Sequence, residues 1–373
     1  MTETRKLRHA YIGVGALVFA MHRMAIEEPT TEVVAACDIR TDIGQQRAEE
    51  LGVPFYEDYH RMLSEVQPDV TVITTPHYLH PQMAIDAMHA GSHVLCEKPM
   101  ATQVADADRM IKTAQETGRL LAINFQQRLR PEVLAAKKLI QEGRLGNLQR
   151  VNLIVPWPRS YLYYSLGSWR ATWWGEGGGV LLNQGPHDLD LVCHLAGMPR
   201  RVISWNRTNF HQIEVEDTIS AMLEWDNGAT GYLHISTAEG GPKSNLEIVG
   251  TKGSIQIGQG ELTFDEFDED VHEFLRTTDQ IYSGPGQHPV EVVLPDNTGD
   301  HPAVYRDFHS AILNGTPISA PGNQGIMSLE LANAMIYSSF TRSVVELPLD
   351  RQKYSDLLED LKAKSSSHPT PVP

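Results

Sequence analysis

Cysteine is scarce in this chain, with three residues among 373, at Cys37, Cys96 and Cys193. An odd number so widely spaced makes neither a disulfide framework nor a zinc pattern, and it fits a reducing cytoplasm. Positive charge is also in short supply: 31 Lys and Arg face 47 Asp and Glu, a formal charge of −16. Such a surface repels phosphate backbones and anionic lipid, which argues against nucleic-acid and membrane partners. Long apolar runs are missing. Residues 10–21 follow Arg5, Lys6 and Arg8 and superficially resemble a signal peptide, but the run is too short to span a bilayer and holds Gly13 and Gly15. With 41% hydrophobic and 21% charged residues the composition is that of a folded globular protein, which excludes dominant disorder and fibrous or repeat architectures.

At roughly 150 residues per domain the length predicts two domains. The first 125 residues alternate strand-like and helix-like segments, the pattern of a parallel sheet with crossover helices. Strands are expected at 10–12, 32–37, 69–74, 93–96 and 120–124, with helices at 41–51, 81–90 and 106–117. Gly52, Gly91 and Gly118 mark where those helices stop. After a helix at 131–142, strand-like runs at 149–156, 202–207, 218–224, 229–236, 244–249 and 254–257 are separated by short turns. They predict an antiparallel sheet in a second domain, with helices at 180–195 and 324–340. The acidic stretch 265–270 reads as a solvated hairpin or loop, and 364–373 as a Ser/Pro-rich disordered tail. The expected organisation is α/β throughout, with a dinucleotide-binding domain at 1–125 and a substrate-binding α/β domain at 126–363.

Gly13-Val14-Gly15 stands directly after strand one and before a helix. There a backbone turns tightly and lets a pyrophosphate approach main-chain amides. The third glycine of such a fingerprint is Val18, so the motif alone could be a simple turn. Asp38, at the end of strand two, raises the case: a carboxylate there accepts both hydroxyls of an adenosine ribose and repels a 2′-phosphate. NAD is therefore favoured over NADP, with Arg40 the residue that could accommodate that phosphate instead. Ala16 and Leu17 continue the loop and are counted with it, as is Gln126 just past strand five. Asp38 alone could equally be a cap or turn residue.

Glu97-Lys98-Pro99 follows strand four, at the carboxyl edge of the sheet where ligands of such folds sit. Lys98 can donate to a substrate hydroxyl or a nicotinamide ribose; otherwise it is a surface lysine. Far downstream, Gly177-Gly178-Gly179 leads to Asn183 and His187. A helix through both puts them on one face, whereas Pro186 in a first helical turn leaves Asn183 in a loop. His187 suits a general base for an alcohol because imidazole titrates near neutrality, although a lone histidine is more often structural.

Taken in order, Gly13-x-Gly15, Asp38, Thr75-Pro76-x-x-x-His80, Glu97-Lys98-Pro99, Trp169-Arg170 and the triple glycine with Asn183-x-x-x-His187 resemble the Gfo/Idh/MocA oxidoreductase family. The likeness runs over nearly the whole chain, to Ser338 and Leu347-Pro348. It implies a Rossmann domain followed by an α/β domain whose open, mainly antiparallel sheet forms oligomer contacts, here a homo-oligomer (dimer or tetramer). It implies oxidation or reduction of a secondary hydroxyl of a sugar or cyclitol with a nicotinamide cofactor, and no metal. Lys98 and His187 match the family's catalytic positions, with Asn183 beside them. Thr75, Pro76, His77, His80 and Glu97 match positions near the cofactor, and Trp169 and Arg170 match positions near the nicotinamide. Three residues depart from the pattern: Val18 replaces a glycine, His77 stands where Asn is common, and Asn183 stands where many members have Asp. An amide cannot accept a proton, so more of the acid/base task falls to His187 and Lys98.

Between the domains, Trp157, Arg159, Tyr163 and Trp174 offer aromatic faces and donors suited to a sugar, or else they are core or interface. Arg159 and Arg170 can also pair an anionic group on the sugar. Lys98, Arg159, Tyr163, Trp174, Asn183 and His187 are thus the candidate substrate contacts. Three activities remain open. One is a sugar, glycoside or cyclitol dehydrogenase. Another is a redox-neutral glycoside-cleaving enzyme that retains NAD, for which an extra acid near the leaving group would speak. The third is a non-catalytic nucleotide- or sugar-sensing regulator, against which the pairing of Lys98 with His187 argues.

Overall fold

The computed structural model describes residues 5–242, 244–258 and 260–365, so the expected disordered tail lies, from residue 366 on, outside the described residues. The first sheet contains β1 (Leu7–Ile12), β2 (Thr31–Cys37), β3 (Phe55–Tyr56), β4 (Val70–Ile73), β5 (His93–Cys96) and β6 (Leu121–Ile123). All pairs are parallel and the order is β3-β2-β1-β4-β5-β6. Strands buried on both faces need unbroken apolar sequence, and Val70–Ile73 is buried at every position. The apolar run that resembled a signal peptide begins as β1, between β2 and β4 in the middle of this sheet. Helices α1 (Phe19–Arg23), α2 (Thr41–Leu51), α3 (Tyr59–Val66), α4 (His80–His89) and α5 (Val104–Thr117) provide the crossovers. The strand order reverses direction between β1 and β4, and the carboxyl ends of those strands form the crevice where ligands of open α/β sheets bind.

Past β6, a short 3-10 turn at Gln126–Leu129 leads into α6 (Pro131–Gln141). The second unit has nine strands: β7 (Leu148–Pro156), β8 (Arg201–Arg207), β9 (Thr218–Glu224), β10 (Thr230–Ser236), β11 (Asn245–Gly250), β12 (Gly253–Ile257), β13 (Leu262–Phe267), β14 (Gln287–Pro289) and β15 (Val345–Glu346). Their order is β14-β13-β12-β11-β7-β10-β9-β8-β15, antiparallel except for β7 with β10. Its helices are α7 (Tyr161–Tyr164), α8 (Pro186–Ala196), α9 (Val271–Thr277), α10 (His301–Asn314), α11 (Gly322–Thr341) and α12 (Arg351–Lys362). Ile219, Ala221 and Leu223 of β9 and Leu233 and Ile235 of β10 are buried beneath helices, while the opposite face presents Ile154, Trp205, Met222 and Tyr232 to solvent. No helix among the described residues is long and apolar enough to cross a membrane.

Several expectations need correction. The acidic stretch is half strand: Asp265, Glu266 and Phe267 end β13, which pairs with β12 and β14 and buries Phe264, and its two acids are only partly exposed, on opposite faces. The helix expected at 180–195 begins only at Pro186. The chain also crosses back over the boundary expected near residue 125, because α10 buries Tyr305 and Phe308 in the same cluster as Tyr11 of the first sheet and Phe19 of α1.

A fully buried ion pair helps fasten the two units. Arg128, in the turn after β6, donates from Nε and Nη2 to Asp190 of α8 at 2.7 and 2.6 Å, and both side chains are 1% exposed. Its Nη1 donates to Ser319 O (2.9 Å) and Gln324 Oε1 (2.7 Å) ahead of and within α11. Removing one partner of such a pair strands the other charge in the interior. Asp190→Ala is expected to lower stability by about 3–5 kcal/mol, read as a lower denaturation midpoint. An unshifted midpoint would show that the pair fastens nothing.

Candidate active site

The glycine loop closes on the ends of β1 and β4. Gly13 adopts φ +97°, and a Cβ there would lie 3.0 Å from backbone atoms of Thr74 and Thr75. Thr74, which sequence reasoning passed over, pins the loop by donating from Oγ1 to Gly13 O at 2.9 Å. Asp38 accepts from Gly15 N (2.7 Å) and Arg40 N (2.8 Å), so one carboxylate joins the end of β2 to the loop. A side chain on Gly15 would meet that carboxylate and the Arg40 guanidinium. Arg40 Nε stands 3.5 Å from Asp38 Oδ1, placing a cation beside the acid. Ala16 N donates to Gly13 O at 3.0 Å, and Leu17 is exposed at the loop tip. The helix after the loop is short: α1 starts at Phe19, so the loop's own turn presents the amides.

The expected cofactor-side residues separate into two groups. His80 is fully buried and braces the site: its Nδ1 and Nε2 lie 2.8 Å from Pro99 O and Thr75 O. It thereby ties the Thr75-Pro76 turn to the segment carrying Lys98, and as a neutral ring it donates to one of the two carbonyls. Thr75 itself directs its hydroxyl to Met83 Sδ at 3.5 Å. His77 meets the edge of Trp169 at 5.0 Å between centroids and lies 3.4 Å from Glu176 O, so the triple-glycine segment and the first sheet meet there.

Behind Lys98, Glu97 lies in a buried pocket. Its Oε1 is 2.9 Å from His22 Nε2, accepts from Asn124 Nδ2 at 2.5 Å, and is 3.6 Å from His301 Nε2. Burial alone would raise this carboxyl, but the hydrogen bond from His22 and the adjacent His301 ring hold it well below the usual range. His22, Glu97 and His301 are the one group among the described residues with metal-ligand spacing, their atoms all within 4.8 Å. His22 and Asn124 already donate to the acid there.

Lys98 Nζ donates to the backbone oxygen of Asn183 at 2.7 Å, across the junction between the two units. Burial lowers its pKa, against the pull of Glu97. Pro186 occupies the first turn of α8, so of the two local readings the loop holds for Asn183, whose N–H donates to Gly179 O at 3.0 Å. His187 sits in that first turn, edge-on to Phe125 at 5.7 Å. Burial first, then the Lys98 charge, push it down to about 3, so it is neutral at physiological pH. Its Nδ1 is buried with no hydrogen-bond partner, as are Asn124 Oδ1 and Gln126 Oε1, which flank the Phe125 that packs on the His187 ring. Buried polar atoms are rarely left unsatisfied, and unpaired atoms on and beside the His187–Phe125 contact fit a site that takes a polar ligand.

Sequence reasoning missed two acids. Glu176 is 1% exposed, accepts from Ala171 N at 2.8 Å, and takes the amide N–H of Asn183; Arg170 lies 3.7 Å away. Burial pushes it up to about 7. A carboxylate therefore stands beside Asn183, although Asn183 itself is not one. Its only sequence signal was an acid opening the triple-glycine run. Asp188, next to His187, is likewise pushed up to about 7 by burial.

The candidate substrate wall forms in part. Tyr163 OH donates to Asn183 Oδ1 (3.1 Å) and accepts from Arg170 Nη1 (2.8 Å) and Gln184 Nε2 (3.0 Å). Arg170 lies over Tyr163 and Trp169, and Arg159 over Trp157 and Tyr163. Trp174 is not grouped with them: Lys362 of α12 lies 5.3 Å above its ring, which associates it with the C-terminal helix.

Residues 7–125 match the oxidoreductase family with an NAD-binding Rossmann fold, and residues 133–256 match the GFO/IDH/MocA C-terminal domain. D-glucoside 3-dehydrogenase of Escherichia coli K12 is 31% identical over 224 residues, 59% of this chain and 62% of that protein. The 2,7-anhydro-N-acetylneuraminate hydratase of Mediterraneibacter gnavus is 29% identical over 297 residues, 74% of this chain and 76% of that protein. The crystal structure of the WlbA dehydrogenase of Bordetella pertussis, in complex with NADH and UDP-GlcNAcA, superposes with a TM-score of 0.79 at 29% identity, covering 93% of this chain and all (100%) of that one. With an NAD-binding Rossmann domain joined to the matching C-terminal domain, the chain belongs to the Gfo/Idh/MocA family of oxidoreductases.

Proposed function

We propose that this enzyme transfers hydride between a secondary hydroxyl of a sugar, glycoside or cyclitol and NAD, with Lys98 and His187 as the reacting pair. One observation carries the reading: Lys98 of the first unit is fixed on the Asn183 carbonyl of the second, four residues from a neutral histidine with a free ring nitrogen. An ammonium has three donors, and one is used here, leaving two for a substrate oxygen. His187 takes the hydroxyl proton, and Lys98 donates to the same oxygen as charge develops on it. A nicotinamide held by the Gly13–Gly15 loop and Asp38 would supply the hydride acceptor or donor for the carbinol carbon. Asn183, held by Glu176 and Tyr163, orients Lys98 and substrate without titrating. Asp38 favours NAD over NADP at the adenosine ribose. The sugar dehydrogenase among the relatives and the nucleotide sugar bound to the WlbA dehydrogenase support a carbohydrate substrate. The exposed apolar sheet face supports a homo-oligomer.

A second reading, redox-neutral glycoside cleavage through a transient keto-sugar, is favoured by the two extra acids, Glu176 and Asp188, flanking Asn183 and His187. A hydratase among the relatives is in keeping with it.

Lys98→Ala and His187→Ala are each expected to cut turnover by at least about a hundredfold with NAD affinity retained, measured by steady-state kinetics and cofactor titration. Near-normal turnover of either variant removes that residue from the mechanism. Asp38→Ala should weaken NAD more than NADP; equal effects on both contradict the ribose assignment. Glu176 is protonated below about pH 7 and ionised above it, whereas His187 stays neutral down to about 3. The ionised carboxylate grips the Asn183 amide more strongly. So kcat/KM should rise as pH passes upward through about 7, and Glu176→Gln should abolish that limb. A limb that survives in the variant must come from another group.

A further inference from the structure

We propose that the sugar acted on carries an anionic group, a carboxylate or a phosphate, which pairs with Arg159 at the outer end of a stacked wall beside Lys98. The inference rests on the hydride-transfer reading and names the substrate class for that same site. The wall alternates rings and guanidinium groups. Arg170 lies 4.7 Å from the Trp169 ring and 4.7 Å from Tyr163; Arg159 lies 5.3 Å from Tyr163 and 4.5 Å from Trp157. Trp169 stands at His77, on the cofactor side, and Trp157 lines a cleft with Gln127, Arg130, Asp188 and Asn245. The wall therefore runs from the expected nicotinamide position outward to a polar cleft.

Charge distinguishes the two ends. Acids outnumber bases across the chain, 47 to 31, and most arginines have a carboxylate within reach. Arg170 is near Glu176, but the side chain of Arg159 donates only to the carbonyl of its neighbour Pro158, at 3.1 Å, and forms no ion pair among the described residues. Its main chain is anchored, because His211 Nε2 lies 2.8 Å from Arg159 O and His211 is itself held by Asp217. Arg159 and Arg170 both press on the charge of Lys98, so three cations converge on the substrate side. The acids nearest Lys98, Glu97 and Glu176, are buried and already accept from Asn124 and from Ala171 N and Asn183, and Asp188 in the cleft is pushed up to about 7 by burial. A guanidinium that lies over two rings offers a planar fork matched to carboxylate or phosphate, with less ordering left to do on binding.

The test is calorimetric titration of the NADH-loaded enzyme. The probes are methyl glycosides of glucose, galactose and mannose, their uronates, and the corresponding 6-phosphates. At least one anionic probe should bind about tenfold or more tighter than its neutral counterpart, an advantage that shrinks as salt rises. Arg159→Gln should reduce the anionic-to-neutral affinity ratio by roughly ten- to a hundredfold, and Arg159→Lys should restore part of it. The uronate and phosphate arms tell the two anions apart. Neutral probes binding as well as anionic ones, a ratio untouched by Arg159→Gln, or no binding of any anionic probe overturns the proposal. A neutral glycoside that reduces NAD while every uronate and phosphate fails overturns this inference and leaves the hydride-transfer reading standing. Loss of the hydride-transfer reading shows separately, as undiminished turnover in Lys98→Ala or His187→Ala.

Discussion

The bidentate bond between Arg128 and Asp190 decides where the chemistry can happen. Arg128 follows β6 of the parallel sheet, and Asp190 stands three residues past His187 on α8, so the pair sets the approach of the histidine to Lys98. Both side chains are out of water, where an ion pair is held only if every donor and lone pair has a partner. Arg128 meets that condition by also reaching Ser319 O and Gln324, which brings the start of α11 to the same point. The bond from Lys98 to the Asn183 carbonyl then closes the gap between the units from the other side. Two sheets of different topology are thus held at one seam, and the candidate reacting groups lie on it.

The electrostatics of that seam run against the composition. The chain is strongly acidic, yet the acids nearest Lys98 are buried behind it, hydrogen-bonded to main chain and amides, or shifted toward neutrality by burial. What faces the substrate side is cationic: Lys98, Arg170 and Arg159, interleaved with aromatic rings. His187 is kept uncharged by burial and by the neighbouring ammonium, the state in which an imidazole can take up a proton from an alcohol. The same low-polarity surroundings that make Lys98 costly to bury would strengthen a hydrogen bond from it to a developing alkoxide.

Much of this was legible in the sequence. Parallel strands buried on both faces leave continuous apolar runs, and the turn residues between them fall where backbone geometry demands, which is why β1, β2, β4, β5 and β6 and the Gly13-Asp38 site could be placed. Lys98 and His187 stood out as candidates because each sits in a constrained local motif and the two together resemble the family's pattern. What could not be read depends on contacts distant in sequence. The return of α10 to cover Tyr11 and Phe19, nearly three hundred residues away, has no local signature. Glu176 looks like a loop acid until burial and the Asn183 amide define it. Trp174 and Tyr163 are alike in sequence terms, but the direction of the turn after Trp169 sends one toward α12 and leaves the other beside Asn183. The acids of β13 concealed a strand because its inward positions carry too few apolar residues to show alternation strongly.

The central claim is that a sugar hydroxyl and a nicotinamide exchange hydride at the Lys98–His187 seam. Its most direct test is incubation of the purified protein with NAD and a panel of sugars and aryl glycosides, neutral and anionic, with NADH and released aglycone both quantified by chromatography. The account predicts NADH accumulating with a particular sugar class and no aglycone; aglycone released over many turnovers without net NADH would select the redox-neutral reading in its place. Neither product from any member of the panel, from protein shown to bind NAD, would contradict the claim.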